Sequence, residues 1–77
     1  MVKIELIKLT EGLAIYRYYP EKSNKGGIVS LDRKTGERRL DEVASGYGTN
    51  YAAHALRRIE EYHRNNDFLE KDIIAWY

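Results

Sequence analysis

Three residues, Thr10-Glu11-Gly12, separate VKIELIKL (residues 2–9) from LAIYRYY (13–19), and both flanking runs are rich in β-branched and aromatic side chains. A gap that short joins antiparallel neighbours, because a parallel connection needs a crossover of roughly a dozen residues or more. The chain therefore begins with a β-hairpin. A three-residue hairpin loop wants a positive φ at its last position, which glycine accepts at little steric cost, and Gly12 stands there.

The same design recurs. After Pro20 and a polar loop, GIVSLD (27–32) reads as a third strand, and Lys34-Thr35-Gly36 leads into Glu37-Arg38-Arg39-Leu40 as a short fourth. SGYGTN (45–50) then opens a helix over YAAHALRRIEEYHRNN, in which Ala52, Ala55, Leu56, Ile59 and Tyr62 recur at spacings of three and four. Thr49 is placed to cap its N-terminus, Glu60 and Arg64 to pair on its solvated side, and Asn65-Asn66-Asp67 to end it. The closing Ile73-Ile74-Ala75-Trp76-Tyr77 is β-branched and aromatic, which favours a last strand over a second helix. The expected fold is α+β, ββββαβ: an antiparallel sheet of four to five strands with one amphipathic helix on one face, a single domain over residues 1–77.

A three-residue loop fixes the pairing of the first hairpin. Leu9 faces Leu13, Ile7 faces Ile15, Glu5 faces Arg17 and Lys3 faces Tyr19 on one face; Leu6 faces Tyr16 and Ile4 faces Tyr18 on the other, with Val2 and Ala14 beside them. The second set is the more continuous apolar surface, so it is expected under the helix, with Tyr16 and Tyr18 as core rings whose hydroxyls reach the rim. A two-residue loop would shift every pair and set Lys8 against Ile15, a poorer match. The preferred register leaves Ile7, Leu9, Leu13, Ile15, Arg17 and Tyr19 on the far face as a candidate interface, with Arg17 neutralised by Glu5. Either the C-terminal segment, through Phe68 and Trp76, folds over the four aliphatics, or a protein partner or second copy does.

Composition narrows the function. Seventy-seven residues without cysteine have no disulfide to add to a core that supplies only about 3–5 kcal/mol at this size, which leaves oligomerisation as a way to bury more apolar surface. Thirteen Lys and Arg against twelve Asp and Glu give no general attraction to nucleic acid or acidic lipid. MVKIELIKLTEG carries a glutamate within its apolar run and no small-residue cleavage site, and no apolar stretch approaches the roughly 20 residues that span a bilayer. A cytoplasmic protein with no membrane role is the expectation.

No chemistry assembles from the remaining motifs. His54 and His63 lie nine apart on one helix, about 180° around its axis, so they cannot share a metal ion within one subunit, and no nucleophile accompanies either. Glu60 and Glu61 project about 100° apart. Ser45-Gly46-Tyr47-Gly48 lacks the pattern of a phosphate-binding loop and reads as a flexible entry into the helix. Neither an enzyme nor a cofactor is expected. Arg33, Lys34, Arg38 and Arg39 form one basic cluster at the second hairpin, where the same loop length pairs Arg33 with Glu37 and Asp32 with Arg38. With Tyr19 they make nucleic-acid binding the alternative to a protein-interaction role.

Tyr19-Pro20-Glu21, the Asp32-x-x-Thr35-Gly36-Glu37 turn and the closing Ala75-Trp76-Tyr77 together resemble short uncharacterised bacterial proteins encoded as single small reading frames. That resemblance implies a stand-alone bacterial domain and transfers no catalytic or binding residue.

Overall fold

A computed structural model describes residues 1–76. Its elements, in chain order, are β1 (Val2–Leu9), β2 (Leu13–Pro20), β3 (Gly27–Asp32), β4 (Arg38–Glu42), α1 (Asn50–Asn65) and β5 (Lys71–Ile74). The strands form one antiparallel sheet ordered β4-β3-β2-β1-β5, so the fold is α+β with the ββββαβ order read from the sequence. The larger boundary differences fall in the last two strands: β4 begins one residue and ends two residues later than Glu37–Leu40, and β5 covers Lys71–Ile74 where residues 73–77 were expected. Tyr77 lies outside the described residues.

The first hairpin closes by a different device from the one expected. Gly12 is not at positive φ; Gly36, Gly46 and Gly48 are. Instead the Thr10 hydroxyl accepts the N–H groups of Gly12 (3.3 Å) and Leu13 (3.0 Å), while the Thr10 N–H donates to the Leu13 carbonyl at 2.8 Å. A side-chain oxygen thus does what a left-handed glycine would have done. The turn is one residue longer, so Leu9 pairs with Ala14 and Lys8 with Ile15, and a bulge between Leu6 and Lys8 restores the expected register below it, from Leu6 and Tyr16 down to Lys3 and Tyr19.

The second turn keeps its glycine, with Gly36 at φ 79°. Asp32 directs it: its carboxylate accepts the N–H groups of Lys34 (2.8 Å) and Thr35 (3.1 Å), contacts that hold its pKa below the usual value. Because Asp32 donates its own N–H to Glu37 and Leu31 pairs with Arg38, the expected pairs Arg33 with Glu37 and Asp32 with Arg38 do not form. The two hairpins do not share one turn chemistry.

Helix α1 starts after Thr49 as expected, but the Thr49 hydroxyl caps nothing; only its carbonyl is used, by Ala53. Its end is set by Asn66, left-handed at φ 51°, which lets Asn66 and Asp67 donate back to the carbonyls of His63 and Tyr62. Glu60 reaches across to Arg38 at 2.9 Å instead of along the helix to Arg64.

One core results. Val2, Ile4, Ala14, Tyr16, Tyr18, Val29 and Leu31 from the sheet meet Ala52, Ala55, Leu56, Ile59 and Tyr62 from the helix. The two alanines leave room for the rings of Tyr16 and Tyr18, both fully buried as the alternation required. Their hydroxyls are tied inside and do not reach the rim: Tyr16 donates to the Leu69 carbonyl at 2.5 Å, and Tyr18 accepts the Ala44 N–H at 2.8 Å.

Candidate functional site

With one helix on one side, the other face of the sheet has no element over it among the described residues, and the register states what it displays. Lys71, Glu5, Arg17, Ile28 and Glu42 form one row across all five strands; Ile73, Lys3 and Tyr19 form a second, and Lys8, Ile15, Ser30 and Arg39 a third. Lys3 lies 5.1 Å from the centre of the Tyr19 ring and 4.0 Å from Glu5. Ser30 donates to Asp41 at 2.7 Å, and Arg39 pairs with Asp41 at 3.4 Å.

Arg17 is the exception. It stands opposite Glu5 as the sequence predicted, yet the two do not pair, and among the described residues its guanidinium has neither ion pair nor side-chain hydrogen bond. It is exposed at the middle of the face, with half-buried Ile15 and Tyr19 beside it on β2 and Ile28 across on β3. A guanidinium with Ile15, Tyr19 and Ile28 on three sides and no pair to the Glu5 on the fourth contributes little to holding the fold together. It is well suited to meeting another surface.

The bulge divides the remaining candidates. Leu9, now opposite buried Ala14, shares the helix side of the sheet, so the expected block Ile7, Leu9, Leu13 and Ile15 is not one face. Ile7, at the bulge, is 49 % exposed and Leu9 43 %, while Leu13 and Ile15 are half-buried. Among the described residues, the C-terminal segment does not cover this patch. Phe68 packs against Tyr62 with Arg33 over its ring at 4.9 Å, and Trp76 packs on α1.

The basic hairpin is largely engaged elsewhere. Arg38 is held by Glu60 and Arg39 by Asp41; Arg33 donates to the Thr10 carbonyl at 2.5 Å and to Asn66 at 3.3 Å; Lys34 alone of the four has no side-chain partner among the described residues. His54 lies flat on Trp76, ring centres 3.8 Å apart, and His63 is half-buried with its Nε2 facing the turn at Gly36.

One polar cluster escaped the sequence reading. Asp72 of β5 accepts the Tyr62 hydroxyl, the Arg58 guanidinium (2.7 Å) and the Ile73 N–H (2.8 Å), fastening the last strand to the helix. Burial disfavours its charge, but the Tyr62 and Arg58 hydrogen bonds outweigh this and hold its pKa low; burial, then the bond to Asp72, pushes the Tyr62 phenol up. An acidic residue inside the apolar run DIIAW was the only trace of it. Its partners come from α1, which no local pattern joins to β5.

Ile73 is the most exposed large apolar side chain, at 61 %, and open depressions of about 230 and 390 Å³ adjoin it, lined by Lys3 with Met1, Glu21, Lys22 and Ser23 on one side and with Lys71 and Asp72 on the other. The motifs behind the bacterial resemblance serve the fold: Pro20 is buried at the end of β2, Glu21 accepts from the N-terminal ammonium and Tyr51, and Trp76 stacks on His54. Among the described residues, no helix is long and apolar enough to cross a membrane. No family model matches the chain, and no curated protein or solved structure matches it.

Proposed function

We propose that this chain acts by binding another protein surface through the open face of its sheet, by contact and without catalysis, as a small bacterial protein of the cytoplasm. The observation that supports the reading is Arg17: a guanidinium with no ion pair or side-chain hydrogen bond among the described residues, at the centre of the sheet face away from the helix and flanked by Ile15, Tyr19 and Ile28. Arginine and tyrosine in a partly apolar setting are the side chains that most often carry binding energy at protein interfaces. The alternative, nucleic acid held by Arg33, Lys34, Arg38 and Arg39, draws less support, since three of these cations already have partners within the fold.

A photoreactive amino acid placed at position 17, with a control at exposed Arg57 on the helix, separates the two readings in intact cells. Discrete protein adducts from position 17 and none from the control are expected. Adducts at neither position, together with salt-sensitive binding of a single-stranded oligonucleotide lost in Arg38→Ala/Arg39→Ala, would replace the proposal with its alternative.

A further inference from the structure

Resting on that reading, we infer that the surface met by the open face is a second copy of this chain, related by a two-fold axis running parallel to the strands between β1 and β2. Such an axis exchanges the two strands. Any pair of residues in cross-strand register is therefore offered to its own copy in reverse, and each partner lands on the other. The register here supplies pairs that benefit: Glu5 faces Arg17, and Lys3 faces Tyr19. In the assembly Glu5 of each copy meets Arg17 of the other, and each Lys3 meets the opposing Tyr19 ring.

Three further observations favour the second copy. Among the described residues Arg17 has no ion partner although a carboxylate stands opposite it, so its electrostatic capacity is unspent. The cations that exceed the carboxylates on this face include Lys8, near the end of β1, and Lys71, on the outermost strand; the same axis sets the Lys71 stem over Ile28 of the other copy. The chain as a whole is close to neutral, with net charge +1, so two copies do not repel at distance.

The footprint is small. Strands of eight, eight, six, five and four residues, at about 3.3 Å per residue and about 4.8 Å apart, project to roughly 490 Å² per copy, and the axis leaves β4 outside the overlap, so the contact falls below the standard size of stable interfaces. Sheets packed face to face lie about 10 Å apart, within reach of long side chains from both copies. A weak, reversible dimer is the expected product.

Charge reversal tests the geometry. By light scattering and sedimentation equilibrium at high concentration, the wild-type chain is expected to dimerise, Glu5→Arg and Arg17→Glu each to be monomeric, and Arg17→Ala to weaken association about tenfold through its two symmetric contacts. An equimolar mixture of Glu5→Arg and Arg17→Glu is expected to form a heterodimer, because each reversed charge then faces its opposite. Circular dichroism of each variant establishes that it is folded, and Arg17→Ala carries the test should either reversal unfold. A monomeric wild-type chain overturns the inference, and if position 17 still yields protein adducts the binding reading survives without it. Dimers that persist in folded Glu5→Arg or Arg17→Glu, or no heterodimer from the mixture, place self-association elsewhere and equally overturn it.

Discussion

Gly27 is glycine because two groups occupy the space its Cβ would need: the Glu42 carbonyl would lie 2.3 Å away and the Tyr18 ring 2.4 Å. Tyr18 pairs with Gly27 across the sheet, and the missing side chain lets the ring lie over the backbone. Gly12, which the sequence marked as a required turn glycine, has no positive φ, and an added Cβ would meet only Lys34, at 3.9 Å. The two substitutions should therefore diverge. Gly27→Ala is expected to cost about 2–3 kcal/mol through overpacking against backbone that cannot move aside. Gly12→Ala should be neutral or stabilise by up to about 1 kcal/mol by restricting the unfolded chain. Urea unfolding of both variants measures the difference; a cost above about 1 kcal/mol for Gly12→Ala would restore the three-residue turn.

Strand β5 is four residues long, and besides its ladder to β1 and buried Ile74 it is tied to the helix through Asp72. Because Val2, Ile4 and Leu6 pair with Ile74, Asp72 and Glu70, the N–H of Ile73 faces the free edge of the sheet, where the Asp72 carboxylate accepts it. One carboxylate thus joins strand to helix and occupies a donor that would otherwise be open to another strand. Its folded pKa is depressed, so its stabilisation is fully present above about pH 4 and is lost as pH falls through the lower folded value. Tyr16 and Tyr62 behave oppositely: burial raises both phenols, so their contribution is complete below about pH 10 and disappears as pH rises beyond it. Asp72→Asn should cost about 1–2 kcal/mol near neutrality and flatten the acid limb of the stability profile, whereas Tyr62→Phe should flatten the alkaline limb. Denaturant midpoints across pH report both, and an unchanged acid limb in Asp72→Asn would show that the clamp lies in other residues.

At the scale of the molecule, both faces of the sheet are built from the same strands, but among the described residues only one is closed by the chain itself. The helix side carries the core, and every element contributes to it or packs on it. Far-ultraviolet dichroism and the fluorescence of half-buried Trp76, which sits on α1, should therefore unfold in one coincident transition. If the open face binds a second copy, the thermal midpoint should also rise with protein concentration in the wild type and not in Arg17→Glu. A midpoint independent of concentration in both would leave the open face solvated.

Much of this was legible in the sequence, because it depends on period and on short gaps. Alternation placed Tyr16 and Tyr18 in the core, the three-four spacing placed Ala52, Ala55, Leu56, Ile59 and Tyr62 under them, and the short gaps at Thr10 and Lys34 required antiparallel hairpins. What the sequence missed was non-local or depended on competition between groups of similar strength. A threonine hydroxyl outbid a glycine for the first turn, the extra residue was absorbed as a bulge, and Leu9 changed faces as a result. Arg17 was expected to be neutralised by the nearest opposite charge, but Glu5 leans to Lys3, since facing positions in a ladder fix backbone distance and not where long side chains end. The Asp72 clamp joins α1 to a strand that returns beside β1, a proximity created only by closing the sheet. Local pattern determined which residues face inward; only the assembled structure decided which charges were left without a partner, and it is on those that the proposed function rests.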